Sequence, residues 1–193
     1  QARNVSQADI SQIYTFKSPD NLRDKITGRL MNSILSSSDS IGLFNNLREK
    51  EHLAYTVHSK IRTVEDEGTL TLNILTSTDN KETGIFSYDN LQKTINGFNN
   101  QIEKLLNSEY TDKDLETAKK VLKAGLLNNE SVAIKMAGLE NAISEGESLD
   151  YKNKAYNIID SISREDINNF ANKVFKNHPV YSIVATEDTL DYN

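Results

Sequence analysis

The chain has 193 residues, of which 37% are hydrophobic and 26% are charged, and it contains no cysteine. This length fits one domain with a substantial core, and no apolar run approaches the roughly 18 residues of a membrane-spanning helix. The net charge of −6, without any Lys/Arg stripe, argues against nucleic-acid binding, which requires concentrated basic charge. The absence of cysteine excludes disulfides, thiolate nucleophiles and cysteine-based zinc sites.

The first predicted elements are a strand and a helix. Residues 7–17 alternate between apolar and polar side chains, which predicts a half-buried strand. Ser18 is the expected N-cap of a helix over residues 19–36, with Pro19 at its first position. After a polar break, a short helix from about Ser40 is expected to turn three apolar side chains inward: Leu43, Phe44 and Leu47.

A predicted hairpin follows. The second strand alternates so that Tyr55 shares a face with Leu53, Val57 and Ile61. Residues 65–68 predict a turn in which Gly68 relieves the backbone, and the third strand is marked by Leu70, Leu72 and Ile74.

The remainder is predicted to be helical up to Lys176, with a final strand over residues 180–186. Five separate helices are expected. They begin at about Tyr88, at Thr111, at residue 130, at Tyr151 and at Arg164, and the third and fourth end at residues 144 and 159. A Thr-x-x-Asp motif caps the helix at Thr111, and Ser163 caps the helix at Arg164. This order predicts an α+β fold in which helices cover one face of an antiparallel sheet. No repeat, linker or low-complexity tract divides the sequence, so residues 1–193 are predicted to form a single domain.

The chain begins at Gln1, without an initiator methionine and without the layout of a signal peptide, so we expect it to be a domain of something longer. The composition predicts a soluble protein. It does not fix the compartment, with the cytoplasm slightly favoured.

Few residues are candidates for chemistry. The three histidines, His52, His58 and His178, include no pair at the i, i+4 spacing of a helical zinc motif. Residues 48–52 read Arg-Glu-Lys-Glu-His, an inverted His-x-x-Glu-His motif with arginine in place of the first histidine, and a guanidinium has no lone pair for a metal. Paired acids such as Asp112 and Asp114 lie at a helix start, where capping explains them. No serine elbow or phosphate loop is present. The sequence thus predicts no complete catalytic site and no metal site.

Arg48 and Tyr55 remain, seven positions apart. The structural interpretation of Arg48 is a solvated arginine at a helix end, where the helix dipole favours it. The structural interpretation of Tyr55 is core filling, because its strand parity is that of Leu53 and Val57.

Residues 43–57, Leu-Phe-Asn-Asn-Leu-Arg-Glu-Lys-Glu-His-Leu-Ala-Tyr-Thr-Val, resemble the C-terminal domain of the pitrilysin/insulinase family of zinc metallopeptidases. Residues 5–7 and 181–186 resemble the start and the last strand of that domain. Many members carry a glycine-rich loop before the Leu-Phe pair, whereas this chain keeps only Gly42 there.

The resemblance implies the non-zinc, substrate-binding half of a metalloendopeptidase. In family members, an arginine and a tyrosine at this spacing project across a cleft and hold the substrate at the zinc site of the other half. It therefore implies substrate-binding roles for Arg48 and Tyr55, zinc in an N-terminal domain or partner subunit, a peptide substrate, and a partner-facing surface through which the isolated chain could self-associate. Two alternatives stay open: a non-enzymatic family member serving as a scaffold or assembly subunit, and an unrelated helical interaction module.

Overall fold

A computed structural model describes residues 7–78, 89–127, 136, 140, 143 and 150–185. Within these residues, four strands form one antiparallel sheet in the order β2-β3-β1-β4. The strands are β1 (Gln7–Lys17), β2 (Ala54–Val64), β3 (Glu67–Ser77) and β4 (Val180–Val184). The helices are α1 (Leu22–Ser37), a short π-helix (Phe44–Lys50), α2 (Asp89–Leu106), α3 (Asp112–Leu127), α4 (Tyr151–Ile159) and α5 (Arg164–Val174).

One face of the sheet is covered by helices, which confirms the predicted α+β fold. Ile10 of β1 lies opposite Ile74 of β3 and Ile183 of β4, and Ile10 and Ile74 are fully buried. Helix α1 packs against β2 and α5, and α2 packs against β3. Because strand side chains alternate, burying one row places the next row on the other face. Among the helices described, none is long and apolar enough to cross a membrane.

The other face, which we call the open face, carries side chains that are exposed or only partly buried. This follows from the alternation of the strands, because the residues between the buried ones point away from the helices. Its members are Thr56, His58, Lys60 and Arg62 on β2, Thr69, Thr71, Asn73, Leu75 and Ser77 on β3, and Asp9, Ser11, Ile13 and Thr15 on β1.

Helix α1 begins later than predicted. Its N-cap is Asn21, whose side-chain oxygen accepts a hydrogen bond of 2.8 Å from the backbone N–H of Asp24. The backbone N–H of Ser18 instead donates to the Asp66 carbonyl at 2.9 Å, in the turn between β2 and β3. The prediction that Ser18 caps this helix is therefore wrong.

The short helix after α1 is a π-helix. Its wider turn appears in the bond from the Glu51 N–H to the Asn46 carbonyl, 3.0 Å long and five residues back. Leu43 and Leu47 are fully buried as predicted. Phe44 is 37% exposed, so its predicted inward orientation is wrong.

Gly68 acts differently from the prediction. The positive backbone angle of the β2–β3 turn belongs to Glu65, with φ of 50°. A Cβ atom added to Gly68 would lie 2.4 Å from the ring of Phe16, so this position needs glycine for a close approach between side chain and backbone.

Two predicted helix caps are confirmed. The Asp114 N–H donates to Thr111 Oγ1 at 3.2 Å, and the Asp114 carboxylate accepts from the Thr111 N–H at 2.8 Å. Ser163 and Asp166 form the corresponding capping box of α5, which ends at Val174 rather than Lys176. The predicted helix over residues 130–144 lies almost wholly outside the described residues, as does the end of the predicted last strand.

Candidate functional site

A cleft of about 300 Å³ lies where the π-helix leads into β2. Arg48 and Tyr55, the two residues singled out from the sequence, both line it. The other lining residues are Glu49, His52, Leu53, Ala54, Ser77 and Asn90.

Tyr55 reaches the cleft because β2 contains a bulge at its start. Ala54 lies opposite Thr76, and Thr56 lies opposite Leu75, so Tyr55 is an extra residue without a cross-strand partner. Its side chain is 56% exposed, whereas Val57 two positions later is buried. The core-filling interpretation of Tyr55 is therefore wrong.

Arg48 lies in the last turn of the π-helix, with its side chain 44% exposed. Its guanidinium carbon is 4.9 Å from the centre of the Phe44 ring, and its Nε atom is 3.6 Å from a carboxylate oxygen of Glu49. The exposed Phe44 thus supports the charged group. The i, i+4 spacing of Phe44 and Arg48 could have indicated this contact, but the sequence analysis did not use it.

The connection between Arg48 and Tyr55 is held by backbone geometry. His52 has a φ of 53°, which turns the chain sharply out of the π-helix. The Leu53 N–H then donates to the Leu47 carbonyl at 2.9 Å, and Thr76 Oγ1 donates to the Leu53 carbonyl at 2.5 Å. These bonds connect the cleft to the end of β3. They also fix the backbone positions of Arg48 and Tyr55 relative to each other.

The far wall of the cleft joins β3 to α2. The Asn90 side-chain amide donates to the Ser77 carbonyl at 2.9 Å. Sequence reasoning did not select Ser77, Asn90, Glu49 or His52 as cleft residues. Ser77 and Asn90 could not be found this way, because they come from elements that meet the π-helix only in the folded chain.

The arrangement is suited to binding peptide carbonyl groups. An arginine presents a permanently charged set of donors, and a tyrosine hydroxyl can donate one further hydrogen bond. A metal ion has no corresponding place in the described part of the chain, since no three His, Cys, Asp or Glu side chains converge there. His52 lines the cleft and His58 lies on the open face.

A relative in Bacillus subtilis (strain 168), named uncharacterized zinc protease YmxG, is 28% identical over 160 residues, which cover 81% of this chain and 36% of that protein. The chain thus spans little more than a third of this relative.

Two solved structures share the fold. A protease from Helicobacter pylori has a TM-score of 0.76 and 18% identity, with 95% of this chain and 43% of that chain covered. The inactive peptidase domain of a putative zinc protease from Bordetella parapertussis has a TM-score of 0.70 and 13% identity, with 95% and 94% covered.

The sequence profile described as the peptidase M16 inactive domain matches residues 1–122, well over half of the chain. The matched region contains every element from β1 to α2 and the first part of α3, and hence both Arg48 and Tyr55. This chain therefore belongs to the peptidase M16 inactive domain family.

Proposed function

We propose that this chain is the substrate-binding, non-catalytic half of a zinc-dependent metalloendopeptidase that hydrolyses peptides or unfolded polypeptides. Residues 1–193 then form a single C-terminal-type domain, and the zinc motif lies in an N-terminal domain or a partner chain. Membership in the inactive domain family and the likeness to a zinc protease support this assignment.

One observation carries the proposal: Arg48 and Tyr55 line the same cleft, and both side chains reach solvent. A bulge in β2 places Tyr55 outside the core, and the ring of Phe44 contacts the guanidinium of Arg48. Neither feature is needed to bury apolar surface, so both are explained better by a ligand that occupies the cleft.

Each side chain has a distinct role in this proposal. When water attacks a peptide carbonyl, its oxygen gains negative charge, and a neutral tyrosine hydroxyl can donate a hydrogen bond to that oxygen. The Arg48 guanidinium binds a neighbouring carbonyl of the same peptide and fixes its position. Tyr55 therefore acts mainly on the reacting group, whereas Arg48 acts on binding and orientation.

Zinc would supply the activated water in the assembled enzyme. The described side chains of this chain do not fit a zinc site, because no suitable set of donors converges. We therefore assign the metal to the other half and assign none of this chain's residues to it.

The test uses the complete protein, with its zinc-carrying half, and a fluorogenic peptide. Tyr55→Phe removes only the hydroxyl, so we expect kcat to fall by about tenfold to a hundredfold, at or below the usual effect of losing one oxyanion donor. The melting temperature should stay unchanged, because the ring keeps its contacts.

Tyr156→Phe is the matched control, since this tyrosine is also partly exposed but lies on α4, outside the cleft. It should leave kcat unchanged. If Tyr55→Phe also leaves kcat unchanged, Tyr55 has no role in the reaction. If the complete protein hydrolyses no peptide with zinc bound, the peptidase proposal fails and the scaffold function is favoured.

A further inference from the structure

The outward row of β2 is basic. Thr56, His58, Lys60 and Arg62 alternate with the buried or half-buried Val57, Ser59, Ile61 and Thr63. Successive outward side chains on a strand are about 6.8 Å apart, so the row from Thr56 to Arg62 extends for about 20 Å. We call His58, Lys60 and Arg62 the basic row.

The permanent charges of this row, on Lys60 and Arg62, have no ion-pair partner among the described residues. All three side chains of the row are exposed. Their cross-strand neighbours on β3, Asn73 opposite His58 and Thr71 opposite Lys60, are uncharged. A basic row therefore stands out on a chain whose net charge is −6.

The basic row begins next to the candidate cleft, which opens at the end of β2 and includes one residue of the open face, Ser77. Ser77, which lines the cleft, belongs to the outward row of β3, and Thr76 beside it is buried. Tyr55 immediately precedes Thr56, the first residue of the outward row of β2. A peptide that leaves the cleft along β2 would thus lie over the basic row.

At the far end of the basic row, Arg62 lies on the edge strand, and its side chain also reaches residues on the helix-covered side of the sheet. Arg62 lines a small cavity of about 70 Å³ together with Lys25 and Arg29 of α1. The positively charged stretch ends at Arg62, because acidic residues of the β2–β3 turn follow from Glu65.

From these observations, and resting on the proposed function, we propose that the basic row selects extended peptide substrates that carry Asp or Glu several residues away from the scissile bond. Side chains of an extended peptide alternate with the same spacing as those of β2, so acids at every second position would match the row. Lys60 lies five residues beyond Tyr55, which corresponds to about 17 Å of extended chain.

The net charge of −6 alone would favour basic or neutral peptides. An acidic protein as a whole attracts basic peptides weakly, but exposed charges separated by more than about 8 Å are largely screened at physiological salt. The local row therefore decides which charges bind near the cleft.

A competing explanation is that these charges only protect an edge strand. β2 lies at the edge of the sheet, and lysine on edge strands discourages pairing with other chains. Either a positive or a negative charge can protect an edge strand, whereas selection of acidic peptides requires positive charge. Reversing the charge separates the two explanations.

The experiment compares the complete wild-type protein with the double variant Lys60→Glu/Arg62→Glu. Three fluorogenic peptides share one cleavage sequence and differ in two residues, which are both Asp, both Lys or both Asn. These residues lie four to seven positions from the scissile bond. One set of three peptides carries them on the N-terminal side of the bond, and a second set carries them on the C-terminal side. Hydrolysis gives kcat/KM, and fluorescence anisotropy with the zinc removed by a chelator gives Kd.

We expect the wild type to favour the Asp peptide over the Lys peptide by about tenfold on one side of the bond, consistent with two exposed pairs, and to lose this preference in high salt. The double variant should reverse the preference. Lys120→Glu/Lys152→Glu, with the same change of net charge on exposed positions of α3 and α4, should retain it.

The outcomes separate this inference from the proposed function. If peptides are hydrolysed but the double variant keeps the wild-type preference, the basic row does not select substrates. If nothing is hydrolysed, the peptidase function fails, and the Kd values still decide whether the row binds acidic peptides. Equal effects of the two double variants would mean that only net charge matters and would overturn the inference.

Discussion

The guanidinium of Arg48 lies over the ring of Phe44, with 4.9 Å between the guanidinium carbon and the ring centre. The two residues are four positions apart on the π-helix, and Phe44 keeps 37% of its surface exposed at this position. A cation–π contact at an exposed site contributes about 0.5–1 kcal/mol. We therefore infer that Phe44 positions Arg48 rather than filling the core.

Replacing Phe44 with leucine should therefore affect binding more than folding. We expect Phe44→Leu to lower kcat/KM of the complete protein by about two- to fivefold, mainly through KM, because the contact energy of about 0.5–1 kcal/mol holds Arg48 in place. Phe44→Tyr keeps an aromatic ring and should restore the wild-type value. If the leucine variant binds and cleaves peptides like the wild type, the ring does not position Arg48.

The sequence predicted the sheet, most helices and two caps, because each depends on local patterns. The alternation of β1 and the Thr-x-x-Asp cap at Thr111 are contained within a few residues. The orientation of Tyr55 could not be predicted this way. It depends on a bulge, which exists only because β2 and β3 pair with Ala54 opposite Thr76 and Thr56 opposite Leu75.

The candidate site was predicted only in part for the same reason. Arg48 and Tyr55 came from a family pattern, whereas Ser77 and Asn90 reach the cleft from the end of β3 and the start of α2. The exposure of Phe44 follows from the π-helix, whose wider turn rotates side chains away from their α-helical positions. Hydrophobic periodicity assumes an α-helix and so predicted Phe44 inside.

Asp114 should make the stability of the domain depend on pH. Burial raises the pKa of this carboxyl, but hydrogen bonds from Ser40, Thr111 and Asp39 outweigh it and hold the pKa below the ordinary 3.8. A lowered folded-state pKa means that the stabilisation is present above the unfolded pKa and is lost as the pH falls through the folded pKa. The carboxylate links α3 to the loop before the π-helix through Ser40 Oγ, 2.6 Å away.

We therefore expect Asp114→Asn to cost about 1.5–3 kcal/mol of unfolding free energy at neutral pH, the usual range for hydrogen bonds to a charged group. The difference from wild type should shrink as the pH falls below the ordinary pKa of 3.8 and through the lower folded-state pKa, where the wild-type carboxyl takes up its proton. Urea unfolding at neutral and acid pH measures this. Asp20→Asn, which removes an exposed ion pair with Lys17, should cost less than about 1 kcal/mol. An equal cost of Asp114→Asn at both pH values would contradict the assignment.

Any side chain at position 68 should destabilise the fold. A Cβ atom there would meet the Phe16 ring at 2.4 Å, and that ring packs edge-on against Phe170 with 5.8 Å between centres. We expect Gly68→Ala to destabilise the domain by about 1–3 kcal/mol, as overpacking does. Glu65→Gly, at the position with positive φ, should be neutral or stabilising by up to about 1 kcal/mol.

A double variant tests the cause of the Gly68 effect. Phe16→Leu removes the part of the ring that the new Cβ atom would meet, so Gly68→Ala should cost less in that background than in the wild type. Thermal unfolding of the four proteins measures the coupling. If the two costs simply add, the contact with Phe16 is not the reason for glycine.

Arg164 holds the connection between α2 and α3 with a geometry that lysine cannot reproduce. Its Nη2 atom donates to the carbonyls of Ser108 and Tyr110, each at 2.6 Å, and its Nη1 atom lies 3.1 Å from the Asp112 carboxylate. The guanidinium also stacks on the Tyr110 ring at 4.9 Å. Only a planar fork of donors makes these contacts together.

Arg164→Lys should therefore cost about 1–2 kcal/mol of unfolding free energy, since at least one carbonyl loses a charged donor. Arg62→Lys is the matched control, because Arg62 is exposed and forms no ion pair with the described residues. Its cost should stay within about 0.5 kcal/mol. Chemical denaturation of both variants gives the comparison. Should Arg164→Lys prove as stable as wild type, the connection is held by the buried Tyr110 ring and not by the guanidinium fork.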